Sequence, residues 1–291
     1  MQFKIINNLS EIWNQYQGYI LDLWGVVHDG HDPYPGVIHC LKQLQALKKQ
    51  VIFLSNAPRR TDVVKDLLLN MGIGPSLYQD LITSGEDAYE ALRTRDFLDY
   101  KKLGTRCLYL GLPKDHHMIE GNGLREVRDI KDADFIMAIH TFAMGDELER
   151  YILLLKQGIQ RNIPLICVNP DLVVHIKGEE YICAGTLAQW YAREGGIVYY
   201  HGKPYPAVYE HAFRSFHGIR SSQILCIGDA LKTDVKGALN MGLDVAFVPG
   251  GIHKADLSWE MGHLPSKTSL EDLFKREKIC PTYVIPGLIC S

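Results

Sequence analysis

Short apolar runs alternate with segments of helical periodicity towards both ends of the chain. The runs that we interpret as strands are 19–22, 51–55, 223–229 and 244–248. Apolar side chains between the first two runs recur every three or four residues, at Val37, Ile38, Leu41, Leu44 and Leu47, which predicts a helix. Further helices are predicted after Thr61 and over 234–241. This alternation predicts an α/β fold with a doubly wound parallel sheet.

The middle of the chain shows an alternation of its own. Strands are predicted at 106–110, 134–139 and 164–168, with a helix over 148–159. A block of this length can form a separate α/β domain. We therefore expect it to be inserted into the first domain, which gives a core at 1–82, an inserted domain at 83–199 and a second part of the core at 200–291. The segment 281–286 is predicted to be an edge strand that closes the core sheet.

Composition narrows the classes of protein. The chain has 291 residues, 46% of them hydrophobic and 22% charged, which is ordinary for a globular chain with a full core. A formal net charge of -3 argues against a general nucleic-acid binder. No run approaches the roughly 18 apolar residues that span a bilayer. The first ten residues lack the pattern of a secretory signal, so no membrane association is expected.

The seven cysteines are scattered along the chain, without a C-x-x-C pair. They lie at Cys40, Cys107, Cys167, Cys183, Cys226, Cys280 and Cys290. The odd count and the apolar neighbours predict reduced, buried thiols in a cytoplasmic protein. Neither a zinc site nor a disulfide is expected, because the tight spacing typical of such sites is missing.

Polar residues follow the predicted strands of the core where each strand ends. Asp22, Ser55 and Asp229 all occupy such positions. In open parallel sheets, ligands bind at the carboxyl ends of the strands. Each residue also has an ordinary explanation, since an aspartate at a strand end is often a turn former or a helix cap. Their shared placement is therefore the first functional indication.

Four polar segments together provide the groups needed to handle a phosphoryl group. They are 22–27, 54–56, 201–204 and 227–234. A carboxylate can attack phosphorus, and a second carboxylate can share Mg²⁺ with it, because Mg²⁺ prefers oxygen ligands. A hydroxyl and an amide can hold phosphoryl oxygens, and a lysine can balance the clustered negative charge.

The order and spacing of these segments resemble the four motifs of the haloacid dehalogenase superfamily. The resemblance covers nearly the whole chain and is closest to the class IIA branch of p-nitrophenyl phosphatase-like, phosphoglycolate phosphatase-like and nucleotide phosphatase-like enzymes. In the core, the matching residues are Asp22, 25–27, 55–56, 202–204, 228–229, 233–234, 237–238 and 241–243. Between the second and third motifs this branch carries a large α/β cap, and 169–171 and 183–185 resemble its segments. The resemblance implies a Rossmann-like core with an inserted cap domain.

The resemblance also implies a nucleophile and a metal site. Asp22 would be both the nucleophile and a Mg²⁺ ligand, and the backbone carbonyl of Trp24 would be a second ligand. Asp229 would be a third ligand. Asp234 would support the metal directly or through water.

Phosphate and substrate contacts follow from the same resemblance. Ser55 and Asn56 would hold phosphoryl oxygens, and Lys203 would neutralise charge beside the nucleophile and assist catalysis. In the inserted domain, loops of this branch reach the substrate. The residues concerned are Asn169, Asp171, Cys183 and Gly185, for which turn formation is an equally good explanation.

One residue departs from the family pattern. The family carries Asp-x-Asp in the first motif, and its phosphatases use the second aspartate to protonate the leaving group and then to activate water. Trp24 stands at that position, and an indole is only a hydrogen-bond donor. His28, Asp29 or His31 could replace the missing acid, although a polar turn explains these residues as well.

These features predict a Mg²⁺-dependent phosphatase that acts on a small phosphorylated metabolite through an aspartyl-phosphate, slowed by the loss of the acid. The alternative is a non-catalytic protein that binds a phosphorylated metabolite at the same site. Hydrolytic dehalogenation is disfavoured, because it needs no metal and the metal-binding acids are retained. The sequence leaves open whether the protein forms a homo-oligomer.

Overall fold

The computed structural model describes residues 2–97, 99–176, 179–257, 259 and 263–290, which form two compact units. The core unit comprises 1–55, 62–82 and 203–291, and the inserted unit comprises 56–61 and 83–202. Within the described residues, no helix combines the length and the apolar character that crossing a membrane requires.

A seven-stranded sheet forms the centre of the core unit. Its strands in chain order are β1 (Lys4–Ile5), β2 (Gly18–Leu21), β3 (Gln50–Ser55), β4 (Asp80–Thr83), β12 (Ile224–Gly228), β13 (Asp244–Phe247) and β14 (Tyr283–Val284). Their spatial order is β1-β14-β13-β12-β2-β3-β4. Along this spatial order, the five neighbouring pairs between β1 and β3 are all parallel. Every residue of β2 and β12 is buried, as expected for strands that are covered on both faces.

Helices of the core unit follow its strands, as the sequence predicts. They are α1 (Val37–Ala46), α2 (Thr61–Asn70), α6 (Pro206–Ser215), α7 (Lys236–Asn240) and α8 (Lys267–Glu277). The helix predicted over 234–241 begins instead as a wide turn at Leu231–Val235 that continues into α7. The prediction of an edge strand at 281–286 is wrong in its position, because β1 pairs with β14 on its outer side and takes the edge.

The inserted unit has a smaller parallel sheet of its own. Its strands are β5 (Arg106–Leu110), β6 (Arg125–Val127), β7 (Phe135–Ala138), β8 (Leu165–Cys167) and β11 (Val198–Tyr200), in the order β11-β8-β7-β5-β6. A separate antiparallel pair consists of β9 (Val173–Ile176) and β10 (Glu179–Ile182). The helices are α3 (Ser84–Thr94), α4 (Glu149–Gln160) and α5 (Ala184–Arg193).

Successive residues of the central strands of the inserted unit pack on opposite faces of the sheet. Leu108 and Leu110 of β5 join a cluster that includes side chains of α4 and α5. Cys107 and Tyr109 of the same strand join a second cluster with side chains of α3. The alternation arises because side chains along a strand point to opposite faces. Both faces are covered, so this unit is an α/β layer structure with its own core.

The segment 56–61 belongs to the inserted unit, whereas the sequence-based bounds place it in the core. Its backbone is held by the start of α3: Gly85 N–H donates to the Ala57 carbonyl at 3.1 Å, and the Thr83 hydroxyl donates to the Arg59 carbonyl at 2.6 Å. These bonds explain why the segment belongs to the inserted unit, although it directly follows β3. The bounds 1–82, 83–199 and 200–291 otherwise stay a prediction.

A disulfide overturns the expectation that all cysteines are reduced. Cys40 of α1 is bonded to Cys290 near the C-terminus, with the two Cα atoms 5.2 Å apart. The pair is separated by 250 residues, so only the tertiary fold brings it together and sequence spacing carries no sign of it. The other cysteines are free, and four of these five are buried.

Candidate active site

Three neighbouring strands of the core sheet present polar residues at their carboxyl ends. Asp22 follows β2, Ser55 is the last residue of β3, and Asp229 follows β12. Because β2 lies between β12 and β3, these three residues end adjacent strands. The Asp22 N–H donates to the carbonyl of Ile227 in β12 at 2.9 Å, which anchors the start of the loop. This edge is where open parallel sheets bind ligands.

Lys203 lies between two carboxylates at this edge. Its Nζ is 2.7 Å from Asp22 Oδ1 and 2.6 Å from Asp234 Oδ1, and its side chain is only 4% exposed. Burial opposes the charged form of the ammonium, but the negative charges of Asp22 and Asp234 outweigh it and hold the pKa of Lys203 above its usual value. The lysine is therefore a fixed positive charge beside the predicted nucleophile.

Two backbone segments pass close to the Asp229 carboxylate. The Ile252 N–H donates to its Oδ2 at 2.7 Å. A Cβ built on Gly25 would lie 2.3 Å from the same oxygen, and one built on Gly251 would lie 1.7 Å from it. Gly25 also has a φ of 83°, which favours glycine. Both positions therefore require glycine so that the chain can pass close to this carboxylate.

The three acids are suited to a divalent cation. One carboxylate oxygen from each of Asp22, Asp229 and Asp234 lies within 4.8 Å of the others, and opposite ligands of Mg²⁺ lie about 4.2 Å apart. Burial and the neighbouring carboxylates raise the pKa of Asp229 well above its usual range and that of Asp234 to about 6. One ammonium cannot balance three buried carboxylates, so the donor set and its charge fit a metal ion.

The carbonyl of Trp24 is the further oxygen that the sequence assigns to the metal. The preceding carbonyl, of Leu23, accepts three backbone N–H groups, from Val26, Val27 and His28. By contrast, no N–H of the described residues donates to the Trp24 carbonyl. The oxygen is thus available as a ligand. The indole is 38% exposed and lies edge-on to the His28 ring, with 5.7 Å between the ring centroids.

Two family models match the parts of the chain that carry these residues. The family of haloacid dehalogenase-like hydrolases matches residues 19–125, and a HAD-hydrolase-like family matches residues 200–289. The chain belongs to the haloacid dehalogenase superfamily. The resemblance predicted from the sequence, including the class IIA branch, is confirmed, and so is the α/β fold class.

Known proteins similar to this one align with the chain over almost its full length. An acid sugar phosphatase of Staphylococcus aureus (strain USA300) is 22% identical over 94% of this chain and 96% of its own. Among solved structures, a haloacid dehalogenase-like hydrolase of Brucella suis 1330 has a TM-score of 0.82 at 27% identity, covering 98% of this chain and 100% of its own. The 4-nitrophenylphosphatase of Thermotoga maritima has a TM-score of 0.68 at 24% identity, covering 95% and 96%.

The residues that could replace the acid of the superfamily are engaged in a turn. His28 is buried, its Nδ1 accepts the Gly30 N–H at 3.0 Å, and burial lowers its pKa to about 4 despite the nearby charge of Asp29. Asp29 Oδ1 accepts the N–H groups of Asp32 and His31 at 2.9 Å, and these bonds lower its pKa. His28 is therefore neutral and Asp29 ionised near pH 7. Both side chains accept backbone N–H groups within a polar turn.

Asn56 makes a contact that the superfamily motif does not predict. Its Nδ2 donates to Asp171 Oδ1 at 2.8 Å, within the inserted unit. Ser55 is buried at the end of β3. Phosphate binding by Ser55 and Asn56 stays a prediction.

The other residues predicted to contact substrate have structural roles. Asn169 Oδ1 accepts the Asp171 N–H at 3.1 Å, which closes a turn after β8. Cys183 precedes α5 and its side chain is buried. A Cβ on Gly185 would lie 2.4 Å from the Asp171 carbonyl, so glycine lets α5 begin against this turn. The turn-forming interpretation therefore describes Asn169, Cys183 and Gly185, and substrate contact stays a prediction.

The segment that holds Asp229 was not identified from the sequence. It follows β13 and contains Gly251 and Ile252, which contact Asp229 through their backbone. The run Pro249-Gly250-Gly251 directly after a predicted strand was the available signal, because paired glycines mark a close approach of the backbone.

Proposed function

We propose that this protein is a Mg²⁺-dependent phosphatase that hydrolyses a small phosphate ester through an aspartyl-phosphate on Asp22. The observation that carries the proposal is the buried ammonium of Lys203, which contacts both Asp22 and Asp234. A carboxylate paired with a fixed positive charge, at the ligand-binding edge of the sheet, is suited to nucleophilic attack. The phosphatases among its relatives support the same chemistry.

In the first step, a carboxylate oxygen of Asp22 bonds to phosphorus and the bond from phosphorus to the ester oxygen breaks. The alcohol part leaves as an anion unless a proton reaches it. In the second step, water bonds to phosphorus, the bond from phosphorus to Asp22 breaks, and the proton of the water passes to phosphate or solvent. Lys203 keeps a positive charge beside the oxygens through both steps, which favours the transition state.

The proposed Mg²⁺ ligands are Asp22, the Trp24 carbonyl and Asp229, with Asp234 in support. Asp234 Oδ1 contacts Lys203 and its Oδ2 accepts the Ala230 N–H at 3.1 Å, so an indirect role through water suits it best. The chemistry that bound Mg²⁺ supplies is neutralisation of phosphoryl charge. We further propose that Ser55 and Asn56 hold phosphoryl oxygens and that the inserted unit serves as the cap, which favours small ligands.

Trp24 limits which esters such a site can cleave. General acid-base catalysis contributes about 10²–10⁴ in rate. The indole has no acidic group for it, and the Asp29 carboxylate of the neighbouring turn accepts the N–H groups of His31 and Asp32, which lower its pKa. Leaving groups that are stable as anions need little protonation. We therefore propose faster turnover of aryl or acyl phosphates than of alkyl phosphates.

A second candidate function rests on the same residue. A non-catalytic protein could bind a phosphorylated metabolite with Asp22, Lys203 and the metal, and Trp24 would then prevent turnover. The two functions differ in whether phosphate is released over many cycles.

The test measures phosphate release from a panel of aryl, acyl, sugar and alkyl phosphates with Mg²⁺ or with EDTA. The phosphatase proposal expects multiple turnovers with Mg²⁺, loss of turnover with EDTA, and loss in Asp22→Asn, whose amide is nearly isosteric with the carboxylate. Binding without turnover across the panel would favour the second candidate. Turnover by Asp22→Asn at the wild-type rate would exclude Asp22 as the nucleophile.

A further inference from the structure

The end of α8 contributes to a network of charged and polar side chains in the core unit. Arg276 donates through one terminal nitrogen to Asp256 Oδ2 at 3.0 Å and through Nε to Glu277 Oε1 at 3.2 Å. Glu277 Oε2 in turn lies 3.5 Å from Lys232 Nζ. Asp256 Oδ2 also lies 3.1 Å from His253 Nδ1. These five side chains, here called the α8 network, connect the helix to the segment after β13 and to the turn after β12.

Both connected segments carry groups of the proposed metal site. In the segment after β13, the Ile252 N–H donates to Asp229 Oδ2 at 2.7 Å, and Ile252 directly precedes His253 of the network. In the turn after β12, Lys232 precedes Asp234 by two residues. The end of α8 therefore contacts the two stretches of chain next to these carboxylates, although no member of the network is itself a proposed ligand.

Apolar packing docks the segment after β13 on the same helix. Leu257 is buried and belongs to the core cluster that contains Leu273 and Phe274 of α8. The centroid of the His253 ring lies 5.8 Å from that of Phe247, the last residue of β13. The Leu257 N–H donates to the His253 carbonyl at 3.1 Å, which closes a turn over 253–257. The contacts with α8 thus hold the turn that directly follows the backbone donor to Asp229.

Glu277 is the centre of the charged part of the network. Its side chain is 16% exposed. Burial opposes its charged form, but the bonds to Arg276 and Lys232 hold the pKa of Glu277 below its usual value. It is therefore ionised near pH 7 and pairs with both cations. Isolated surface ion pairs contribute little to stability, whereas charges that form a network contribute more.

We propose that Arg276 and Glu277 are positioning residues for the metal site. Through Asp256, Arg276 holds the turn that follows Ile252. The N–H of Ile252 keeps the Asp229 carboxylate in place, and Glu277 orients the Arg276 guanidinium. Groups that hold the ligands of a metal change its affinity when they are removed. The assignment of Mg²⁺ rests on the proposed function, whereas the support of the Ile252 backbone is a property of the metal-free core unit.

The first test measures hydrogen exchange of backbone amides in the metal-free protein by NMR. Arg276→Gln should make the Ile252 amide exchange about 3- to 10-fold faster, because the turn next to it opens more often. The Cys226 amide, in β12 at the centre of the sheet, should stay as protected as in wild type, which excludes a general loss of stability. Unchanged exchange of the Ile252 amide in Arg276→Gln would overturn the proposal.

The second test measures Mg²⁺ affinity by isothermal titration. Removing a direct partner of a metal ligand costs about 10- to 100-fold in affinity. Arg276 acts through the turn and not on Asp229 itself, so we expect Arg276→Gln to raise the Kd by about 3- to 10-fold. Arg276→Lys, which keeps the charge, should restore part of the affinity. Equal Kd values for wild type and Arg276→Gln would contradict the positioning role.

The matched control is Lys267→Gln. Lys267 lies in the first turn of α8, is 70% exposed and pairs with Glu271 at 3.9 Å. The substitution removes one positive charge from the same helix but outside the network, so it should change neither the Kd for Mg²⁺ nor the exchange of the Ile252 amide. Thermal unfolding identifies misfolded variants. Asp256→Asn, with the same expected changes, replaces Arg276→Gln if the latter does not fold.

Turnover at varied Mg²⁺ separates this inference from the proposed function. Arg276→Gln should need more Mg²⁺ for half-maximal hydrolysis of p-nitrophenyl phosphate and should regain the wild-type kcat at saturating Mg²⁺. If no ester is hydrolysed but Arg276→Gln weakens Mg²⁺ binding, the phosphatase proposal fails and the positioning role stands. If esters are hydrolysed and the variant changes neither the Kd nor the exchange, the positioning role is overturned and the phosphatase proposal stands. Absence of Mg²⁺ binding by wild type would overturn both.

Discussion

Replacing Trp24 with aspartate should raise the turnover of unactivated esters. The substitution restores the second acid of the superfamily motif at the position where this chain has an indole, and its carboxyl group can protonate the leaving alcohol and then activate water. Since the proposed metal ligand at Trp24 is its backbone carbonyl, the change of side chain would leave that ligand in place.

Both the gain in rate and the loss of stability expected for Trp24→Asp can be given a magnitude. The gain in rate is at most the contribution of general acid-base catalysis, about 10²–10⁴. A fully buried Trp costs about 3–5 kcal/mol on truncation. Trp24 is 38% exposed, so we expect a loss of about 2–3 kcal/mol in the free energy of unfolding, scaled from that range by the buried fraction. Much of the loss would come from the contacts with His28 and Gly30, whose added Cβ would lie 2.3 Å from the indole.

The assay compares kcat/KM for an alkyl phosphate and for p-nitrophenyl phosphate in wild type, Trp24→Asp and Trp24→Ala. The alanine variant controls for lost packing. We expect Trp24→Asp to exceed Trp24→Ala by at least tenfold on the alkyl ester and by much less on the nitrophenyl ester, whose leaving group needs little protonation. Equal rates for the two folded, Mg²⁺-binding variants on the alkyl ester would refute the missing-acid explanation.

Four further predictions follow from the geometry. Gly25→Ala should abolish Mg²⁺ binding, measured by titration calorimetry, because a Cβ there meets Asp229 Oδ2 and the φ of 83° disfavours alanine; unchanged affinity would contradict the close approach. Lys203→Met in the absence of metal should lower the free energy of unfolding by about 3–5 kcal/mol in denaturant titrations, since buried carboxylates lose their counter-charge. The pKa of His28 in the folded protein, about 4, is below its unfolded value. The contribution of neutral His28 to stability is therefore present above pH 6.5 and is lost as the pH falls towards 4. His28→Gln should flatten the pH dependence of the free energy of unfolding over that range by up to about 3 kcal/mol. Cys290→Ser should lower the free energy of unfolding by about 2–4 kcal/mol in non-reducing buffer, and no difference from wild type would mean that the bond to Cys40 does not form.

Local patterns account for the parts of the structure that the sequence predicts well. The strands that precede Asp22 and Asp229 are short apolar runs that end in polar residues, and both features are visible within a few positions. The order of the motifs then places these ends on neighbouring strands, because parallel sheets of this class direct their carboxyl ends to one edge.

Tertiary contacts account for the parts that the sequence does not predict. The bond between Cys40 and Cys290 joins residues at opposite ends of the chain, and the transfer of 56–61 to the inserted unit depends on hydrogen bonds with α3. The role of Asn169 in a turn depends on its side chain, which accepts the Asp171 N–H. None of these has a periodic or spacing signal.

The proposed mechanism requires that Asp22 becomes phosphorylated during turnover. Its most direct test is acid quenching of the protein during hydrolysis of p-nitrophenyl phosphate with Mg²⁺, followed by peptide mass spectrometry. We expect a phosphoryl group on Asp22 in wild type, longer-lived than in Trp24→Asp, and none in Asp22→Asn. Sustained phosphate release with no phosphoryl group on Asp22, or with one on another residue, would contradict it.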